Sequence, residues 1–333
     1  MHLYDLWFIL IAVLWIGYFF LEGFDFGIGI LSKVMPRDNA ERRVLLGTIG
    51  PVWAGNETWL ITAGGATFAA FPVWYASLFS SFYIPLLIIL VCLIIRGVAF
   101  EYRGKRAEER WQRGWEECIF VTSLLIAFLW GVTFAAMLRG IALGKDGVYM
   151  GTLGDLFSAY SVLGGATTLV LFTYHGAVFA SLKTAGDIQQ RARGYAAGIG
   201  ALTVALSLAF LIWTQVEYGD GWTLALLIIA ALALTASIGA NRINRNGWAF
   251  AFSGATVIAA FTLVFVALFP DVMPSSLGPQ WSLTVENASS APYTLKVMTV
   301  VSAVFVPLVL AYTGWTYWVF RQRLTVHTPV GAH

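Results

Sequence analysis

The chain contains 333 residues, of which 59% are hydrophobic and 11% are charged, and its formal net charge is +2. Because an ordinary soluble domain carries about 25% charged residues, this composition excludes a soluble globular protein and indicates many membrane spans. The small net charge, with basic residues scattered over short loops, also argues against a nucleic acid as partner. We predict a single transmembrane domain over residues 1–333, surrounded by the lipid bilayer.

Nine apolar stretches are long enough to cross a hydrocarbon core of roughly 30 Å, which takes about 20 helical residues. They lie at about 4–31, 52–72, 76–100, 116–138, 158–182, 194–216, 222–240, 248–269 and 296–320. Lipid cannot satisfy the backbone of an open strand, so every span is predicted to be helical and the fold all-α and polytopic. Between the second and third spans, the short segment FPVWYA predicts a tight hairpin.

Basic residues alternate between the two sides of the predicted bundle. The loop after the first span contains Arg42 and Arg43, the loop after the third contains Arg103 and Arg106, and the opposite loops are poor in Lys and Arg. Since cytoplasmic loops carry the excess of Lys and Arg, we predict that the N-terminus lies outside and the C-terminus in the cytoplasm.

The first span carries two acids in the sequence LEGFDFGIG, residues 21–29. Glu22 and Asp25 are three residues apart, which places both on one face of a helix, and both fall in its cytoplasmic half. Gly23 and Gly27 form a pair of small residues that would let another helix approach closely.

Further ionisable residues fall at the same predicted level. The sequence GNETW places Asn56 and Glu57 in the first turns of the second span, where the helix dipole favours a carboxylate. Arg96 lies near the cytoplasmic end of the third span. Acids within a membrane are costly and commonly mark ion paths or proton relays. Their confinement to one half predicts a route that takes protons from the cytoplasm and stops partway.

Structural alternatives remain for each of these residues. Asp25 and Glu57 could pair with Arg96 as an ion bridge among the first three spans, and Glu22 could lie at the rim of the membrane. Trp53 is more simply explained by packing or by an interfacial aromatic belt than by a redox role, and the same holds for Trp59.

Metal and cofactor chemistry has little support in this sequence. The four histidines and two cysteines are spread thinly, without the spacing of haem or iron–sulfur ligands. The histidine within a span, His175, is interpreted as a packed, hydrogen-bonded side chain. We therefore expect no metal site, no catalytic residue and no redox cofactor in this chain.

Taken together, the motifs resemble subunit II of the cytochrome bd-type quinol oxidases. The similarity is carried by LEGFDFGIGIL, GNETWLITAGGATFAAFP, RGVAFEYRGK, FPDVMPSSL and TLKVMTVVSAVFVPLVLAYTGWTYW. The resemblance implies two four-helix bundles plus one peripheral helix, in the plasma membrane of a prokaryote. It also implies a haem-bearing partner, subunit I, with two b-type haems and one d-type haem, that uses membrane quinol to reduce dioxygen to water in aerobic respiration.

The resemblance assigns this chain a supporting role: it stabilises subunit I and helps to convey cytoplasmic protons. Asp25 matches the family's aspartate in the first span, and Trp53, Asn56 and Trp59 match its second-span motif. Arg96 matches a family arginine at the end of the third span and is the expected charge partner. Small single-span subunits, a structural quinone or lipid, an oxygen passage and the choice between ubiquinol and menaquinol stay open.

One position departs from the family pattern. Some relatives carry an aspartate where this chain has Ala54, and a glutamine where it has Glu57. The acid has thus moved three residues, almost one helical turn, which keeps the carboxylate on a similar face. The hypothesis that follows is that Glu57 takes the place of that aspartate. A proton-coupled secondary transporter is the alternative function, although the sequence shows no inverted repeat and no pair of matching broken helices.

Overall fold

Residues 2–326 are described by a computed structural model, and within this range the chain is almost entirely helical. The α-helices are α1 (Leu3–Val34), α2 (Asn39–Gly47), α3 (Trp53–Ala70), α4 (Pro72–Ser81), α5 (Tyr83–Arg103), α6 (Glu109–Arg139), α7 (Ala159–Lys183), α8 (Gly186–Tyr218), α9 (Gly221–Arg242), α10 (Asn246–Leu268) and α11 (Pro292–Val319). Two short antiparallel strands, β1 (Asp271–Met273) and β2 (Leu283–Thr284), and 3-10 turns at Lys145–Gly147, Leu153–Leu156 and Pro279–Trp281 complete the described elements.

Eight of these helices are long and apolar enough to cross a membrane: α1 and α5 to α11. They correspond to eight of the predicted spans, so the prediction of an all-α polytopic membrane protein is confirmed. The second predicted span corresponds to α3, which has 18 residues and is not among these eight. Its sequence interrupts the apolar residues with glycine, threonine and polar side chains.

The hairpin predicted at FPVWYA is wrong. Helix α3 ends at Ala70, a new helix begins at Pro72, and Phe82 separates α4 from α5, so the third predicted span is also broken. Proline lacks the backbone N–H and fits the first turn of a helix, whereas within a helix it removes a hydrogen bond. Pro72 is the first residue of α4, and Pro85 lies in the first turn of α5. The two prolines thus restart the helix twice instead of turning it back at once.

The helices pack as two groups with α1 at their junction. Helix α1 contacts α3 and α6 of one group and α7 and α10 of the other, while α6 packs against both α5 and α7. Helices α7, α8, α9 and α10 pack against one another. Helix α11 is peripheral, since only 6% of its most apolar stretch is buried. This arrangement agrees with two four-helix bundles and one outlying helix.

The segment between α10 and α11 closes one end of the bundle. It contains the β1–β2 pair, and Ser290 N donates to the carbonyl of Ala70 over 2.8 Å at the end of α3. Ser275 Oγ donates to the carbonyl of Leu143 over 2.7 Å. We call this end the outer side and the opposite end, where the Arg-rich loops after α1 and α5 lie, the inner side.

Candidate functional site

The inner half of the first bundle contains a buried group of polar side chains, which we call the acid cluster. Helix α1 contributes Glu22 and Asp25, α3 contributes Asn56 and Glu57, and α5 contributes Arg96. Glu22, Asp25 and Arg96 are fully buried, and Asn56 is 2% exposed. The Glu57 side chain is 24% exposed. The structure therefore brings together residues from three predicted spans, with Glu57 at the edge.

Arg96 is the cation of the cluster. Its Nη1 lies 3.0 Å from Oε2 of Glu22 and 3.2 Å from Oε1 of Glu57. Its guanidinium also lies over the rings of Phe26 and Phe100, 4.8 Å and 5.0 Å from their centroids. The rings exclude water and add a cation–π attraction, so the arginine is held between two aromatic faces and two carboxylates.

Asp25 has a different partner. Its Oδ2 accepts a hydrogen bond from Nδ2 of Asn56 over 2.9 Å. Oδ1 of Asn56 in turn accepts a hydrogen bond from the hydroxyl of Tyr317 over 2.8 Å. This chain of hydrogen bonds joins α1, α3 and the peripheral helix α11.

The charges of the cluster do not balance. Three carboxyl groups, those of Glu22, Asp25 and Glu57, face the single guanidinium of Arg96, and uncompensated buried charge costs several kcal/mol per ion. Glu22 Oε1 and Asp25 Oδ1 have no hydrogen-bond donor among residues 2–326. Because buried negative charge without a partner is costly, the excess of carboxyl groups favours a cluster that retains at least one proton.

Two of the structural alternatives for these residues differ from the structure. The carboxylate that shares Arg96 with Glu57 is Glu22, whereas Asp25 bonds to Asn56. Glu22 does not lie at the rim of the membrane, because its side chain is fully buried within the protein. Asp25 is nearly one helical turn closer to the inner end of α1, which places it beside Asn56 instead of the arginine.

The two glycines of the first span lie at a close helix contact, and the neighbouring helix is α7. A Cβ atom on Gly27 would lie 2.8 Å from Cα of Gly176 on α7, and one on Gly23 would lie 2.8 Å from the Phe172 ring. These distances are too short for real side chains. The small residues thus bring the two bundles together at the level of the acids.

The tryptophans of α3 pack against residues of the neighbouring helices. The Trp53 ring lies 5.4 Å from that of Phe100, and the Trp59 ring covers Gly17 of α1. Both positions agree with the packing interpretation.

His175 is a packed, hydrogen-bonded side chain, as interpreted from the sequence. It is fully buried, its Nδ1 lies 2.8 Å from Ser253 Oγ, and its Nε2 lies 3.2 Å from the carbonyl oxygen of Phe20. Its ring stacks on Phe250 at 5.0 Å. Within residues 2–326, no three His, Cys, Asp or Glu side chains are placed to hold a metal ion.

A cavity of about 610 Å³ opens on the inner side next to the cluster. Trp53 and Phe100 line it together with Arg43, Glu101 and other residues of α2 and the end of α5. Phe100 also contacts the Arg96 guanidinium. The aromatic layer that contains Phe100 therefore lies between this cavity and the buried arginine.

Sequence reasoning missed three side chains of this region. Tyr317 lies 261 residues from Asn56, and nothing in the chain signals that pairing. Tyr18 lies four residues before Glu22, so helical spacing does place it on the same face; its hydroxyl accepts a hydrogen bond from Trp130 Nε1 over 3.1 Å. Glu116, at the start of the fourth predicted span, is buried between Arg42 and Arg103.

Fold and site together define a class: a polytopic membrane protein whose buried ionisable side chains are gathered in one half of the membrane, without a soluble domain in residues 2–326. The sequence profile of the family described as cytochrome bd terminal oxidase subunit II matches residues 3–320. The chain belongs to this family. It is thus a multi-pass protein of the prokaryotic plasma membrane and a subunit of an oxidoreductase complex.

Two curated relatives cover nearly the whole chain. Cytochrome bd ubiquinol oxidase subunit 2 of Bacillus subtilis (strain 168) is 42% identical over 336 aligned residues, which cover 98% of each protein. Cytochrome bd-I ubiquinol oxidase subunit 2 of Escherichia coli (strain K12) is 34% identical over 360 aligned residues, covering 96% of this chain and 94% of that protein.

A solved structure shares the fold. The chain superposes on a chain of the bd oxidase from Geobacillus thermodenitrificans with a TM-score of 0.78 at 18% sequence identity. The match covers 96% of this chain and 99% of that chain. At this identity the similarity establishes the helical architecture alone.

Proposed function

We propose that this chain pairs with the haem-bearing subunit I of a bd quinol oxidase and helps to deliver cytoplasmic protons for the reduction of dioxygen to water. The relatives from Bacillus subtilis and Escherichia coli are named as subunits of ubiquinol oxidases. In this proposal the two b-type haems, the d-type haem and the quinol belong to the partner. The side chains of this chain bind and move protons and take no part in the haem chemistry.

The observation that carries the proposal is the acid cluster itself. Glu22, Asp25, Glu57 and Arg96 come from three helices and meet within the membrane, where ionisable residues are costly and commonly functional. A purely structural bridge needs one acid for the arginine. The two further carboxyl groups give the cluster a capacity to hold and exchange protons.

The cavity on the inner side supports uptake from the cytoplasm. It brings solvent to Trp53 and Phe100, whose layer borders Arg96. From there Glu57 and Glu22 share the Nη1 nitrogen of the arginine. In our proposal, thermal motion of this aromatic layer admits water and lets a proton reach the first carboxylate.

The outer side of the cluster is closed by aromatic rings. Trp15, Tyr18, Phe19 and Trp130 are all buried, and the rings of Trp15 and Trp130 lie 5.2 Å apart. The Tyr18 hydroxyl in this layer is already hydrogen-bonded to Trp130 Nε1, and in our proposal the surrounding rings oppose the movement of a proton from Glu22 toward the outer side. Such a barrier keeps the proton from crossing the membrane within this chain, so that it is available to the partner.

Partner contact is supported by the exposed face of α3. Gly55, Thr58 and Thr62 are exposed there, next to the edge of Glu57. A carboxylate facing hydrocarbon is costly, whereas small and hydroxyl-bearing residues suit the packing of helices in a membrane. We propose that subunit I covers this face and that Glu57 is the cluster's link to it.

The test uses the intact complex with Glu57→Gln and with Asp25→Asn. Both changes remove a titratable proton while preserving size. We expect oxygen consumption with quinol to fall by about tenfold or more, because positioned proton transfer contributes roughly 10²–10⁴ in rate. Haem content, measured by a reduced-minus-oxidised spectrum, should stay as in the wild type.

The control is Glu108→Gln, which removes an exposed carboxylate on the same side of the membrane that does not line the cavity. It should leave the rate unchanged. Loss of haem in the Glu57 and Asp25 variants would favour the structural ion bridge, and full activity would show that the acids are inert. If the tagged wild-type chain purifies without a haem-bearing partner from cells that express the oxidase, the pairing fails and the transporter alternative returns.

A further inference from the structure

Tyr317 is the contact between the peripheral helix and the acid cluster. Helix α11 is mostly exposed, with 6% of its most apolar stretch buried, yet the Tyr317 hydroxyl lies 2.8 Å from Oδ1 of Asn56. We propose that Tyr317 is a positioning residue, which fixes the amide of Asn56 so that this amide donates to Asp25. This inference rests on the proposed proton route.

The position of Tyr317 is held from two directions. Its ring meets Phe24 of α1 edge-on, with centroids 6.5 Å apart. Beyond the end of α11, Leu324 N donates to the carbonyl of Lys183 over 2.8 Å, and Ala185 N donates to the carbonyl of Leu324 over 3.1 Å. The inner end of α11 is therefore attached to the α7–α8 junction, which keeps the phenol beside Asn56.

The need for a positioning group follows from the chemistry of an amide. The side chain of Asn56 has a donating end and an accepting end, and a carboxylate such as Asp25 can use only the donor. A hydroxyl that donates to Oδ1 fixes the orientation of the Asn56 amide, so that Nδ2 points toward Asp25. With Phe at position 317, Oδ1 loses its donor, and a rotation of the amide would turn an acceptor toward Asp25. In either orientation of the amide, one buried polar atom of Asn56 then has no hydrogen-bond partner, which costs free energy.

Among residues 2–326, the ionisable groups that act electrostatically on this contact belong to the cluster. Asp25 and Glu22 face the phenol from α1, and Glu57 and Arg96 act on Asp25 from α3 and α5. Because Asn56 is the neutral group between the phenol and Asp25, its orientation sets whether the carboxylate form or the protonated form of Asp25 has a hydrogen-bond partner. Tyr317 thus acts on proton exchange through Asn56 and not as a proton carrier.

The test compares Tyr317→Phe with Tyr312→Phe in the intact complex. Tyr312 lies on the same helix and is 65% exposed, so its variant removes a phenol hydroxyl without touching the cluster. We expect Tyr317→Phe to lower oxygen consumption about fivefold, the effect of one lost hydrogen bond, and to change its dependence on pH at unchanged haem content. Tyr312→Phe should match the wild type. Wild-type rate and pH profile in Tyr317→Phe would overturn the inference.

A double variant separates positioning from mere anchoring of α11. In an Asn56→Ala background, Tyr317 has no amide to orient, so adding Tyr317→Phe should have no further effect. An equal loss in both backgrounds would overturn the inference. The proposed function is judged separately: if Asp25→Asn is slow while Tyr317→Phe behaves as wild type, only the positioning role fails, whereas a fully active Asp25→Asn removes the proton route itself.

Discussion

The Nη1 nitrogen of Arg96 on α5 lies 3.0 Å from Oε2 of Glu22 on α1, and both side chains are fully buried. The two residues are 74 positions apart in the chain. Because two charges lose their hydration when buried, such a pair contributes little net stability, but each member depends strongly on the other. The pair therefore fixes how α5 sits against α1 more than it strengthens the fold.

Substitution of Arg96 should destabilise the protein, because two carboxylates depend on this arginine. In Arg96→Met, Glu22 and Glu57 lose their common partner, and breaking a buried pair costs about 3–5 kcal/mol in the free energy of unfolding. We expect a clearly lower melting temperature for the purified complex in detergent. The double variant Arg96→Met with Glu22→Gln should recover part of the loss, because the uncompensated carboxylate is gone. A wild-type melting curve for the single variant would contradict the prediction.

Glu116, a buried acid outside the cluster, should matter for stability. Its carboxylate lies 2.7 Å from Arg103 Nη2 and 3.2 Å from Arg42 Nη1, so it joins α2, α5 and α6. Glu116→Gln should lower the melting temperature, because two arginines then share a neutral amide. The matched control is Glu109→Gln, which breaks the exposed pair with Arg113; such pairs contribute about 0–1 kcal/mol. Equal effects of the two substitutions would contradict this expectation.

The membrane spans were predictable because hydrophobic length is a property of the local sequence. Eight spans follow directly from it. The break around Phe82 was not foreseen, although Pro72 and Pro85 on either side of it are visible in the sequence. Their effect depends on where each helix starts, and long apolar runs conceal that.

The members of the acid cluster were predictable, but their partners were not. Asp25, Glu57 and Arg96 stand out as charges within apolar runs. The pairing of Glu22 with Arg96, however, depends on the axial position of α5 relative to α1. Tyr317 gives no signal at all, since a tyrosine near the end of a span is typical of membrane interfaces. Contacts between helices far apart in the chain arise only from tertiary packing.

Glu41 lies outside the membrane spans and makes a pH-dependent contribution to the stability of the folded state. Burial acts to raise the pKa of its carboxyl group, but the backbone N–H of Arg37 and the guanidinium of Arg191 outweigh burial and hold the pKa below its ordinary value. A carboxyl group with a lowered pKa stabilises the folded state above its unfolded pKa, about 4.3, and this contribution is lost as pH falls through the folded value. Glu41→Gln should therefore melt below the wild type at pH 7.

The same comparison at progressively lower pH checks the sign. As the pH falls below the unfolded pKa and through the folded pKa, the wild-type carboxyl group takes up a proton, so the difference between the two melting temperatures should shrink. Glu101→Gln, at an exposed position at the end of α5, serves as the control for the general effect of removing a carboxylate. A difference that stays constant or grows toward acid would show that Glu41 acts through packing instead of charge.

The contact between α1 and α7 should tolerate no side chain. A Cβ atom on Gly27 would lie 2.8 Å from Cα of Gly176, and its neighbours there are backbone atoms, which cannot move aside as a flexible side chain does. Gly27→Ala should thus force the two bundles apart, at about 1–3 kcal/mol of stability, and lower the melting temperature. Gly198→Ala on α8 is the matched control, because its Cβ meets nothing within 4 Å and alanine favours a helix over glycine by about 0.5–1 kcal/mol. The two alanines should therefore shift the melting temperature in opposite directions. If Gly27→Ala is as stable as Gly198→Ala, the contact between α1 and α7 tolerates a side chain and the prediction is wrong.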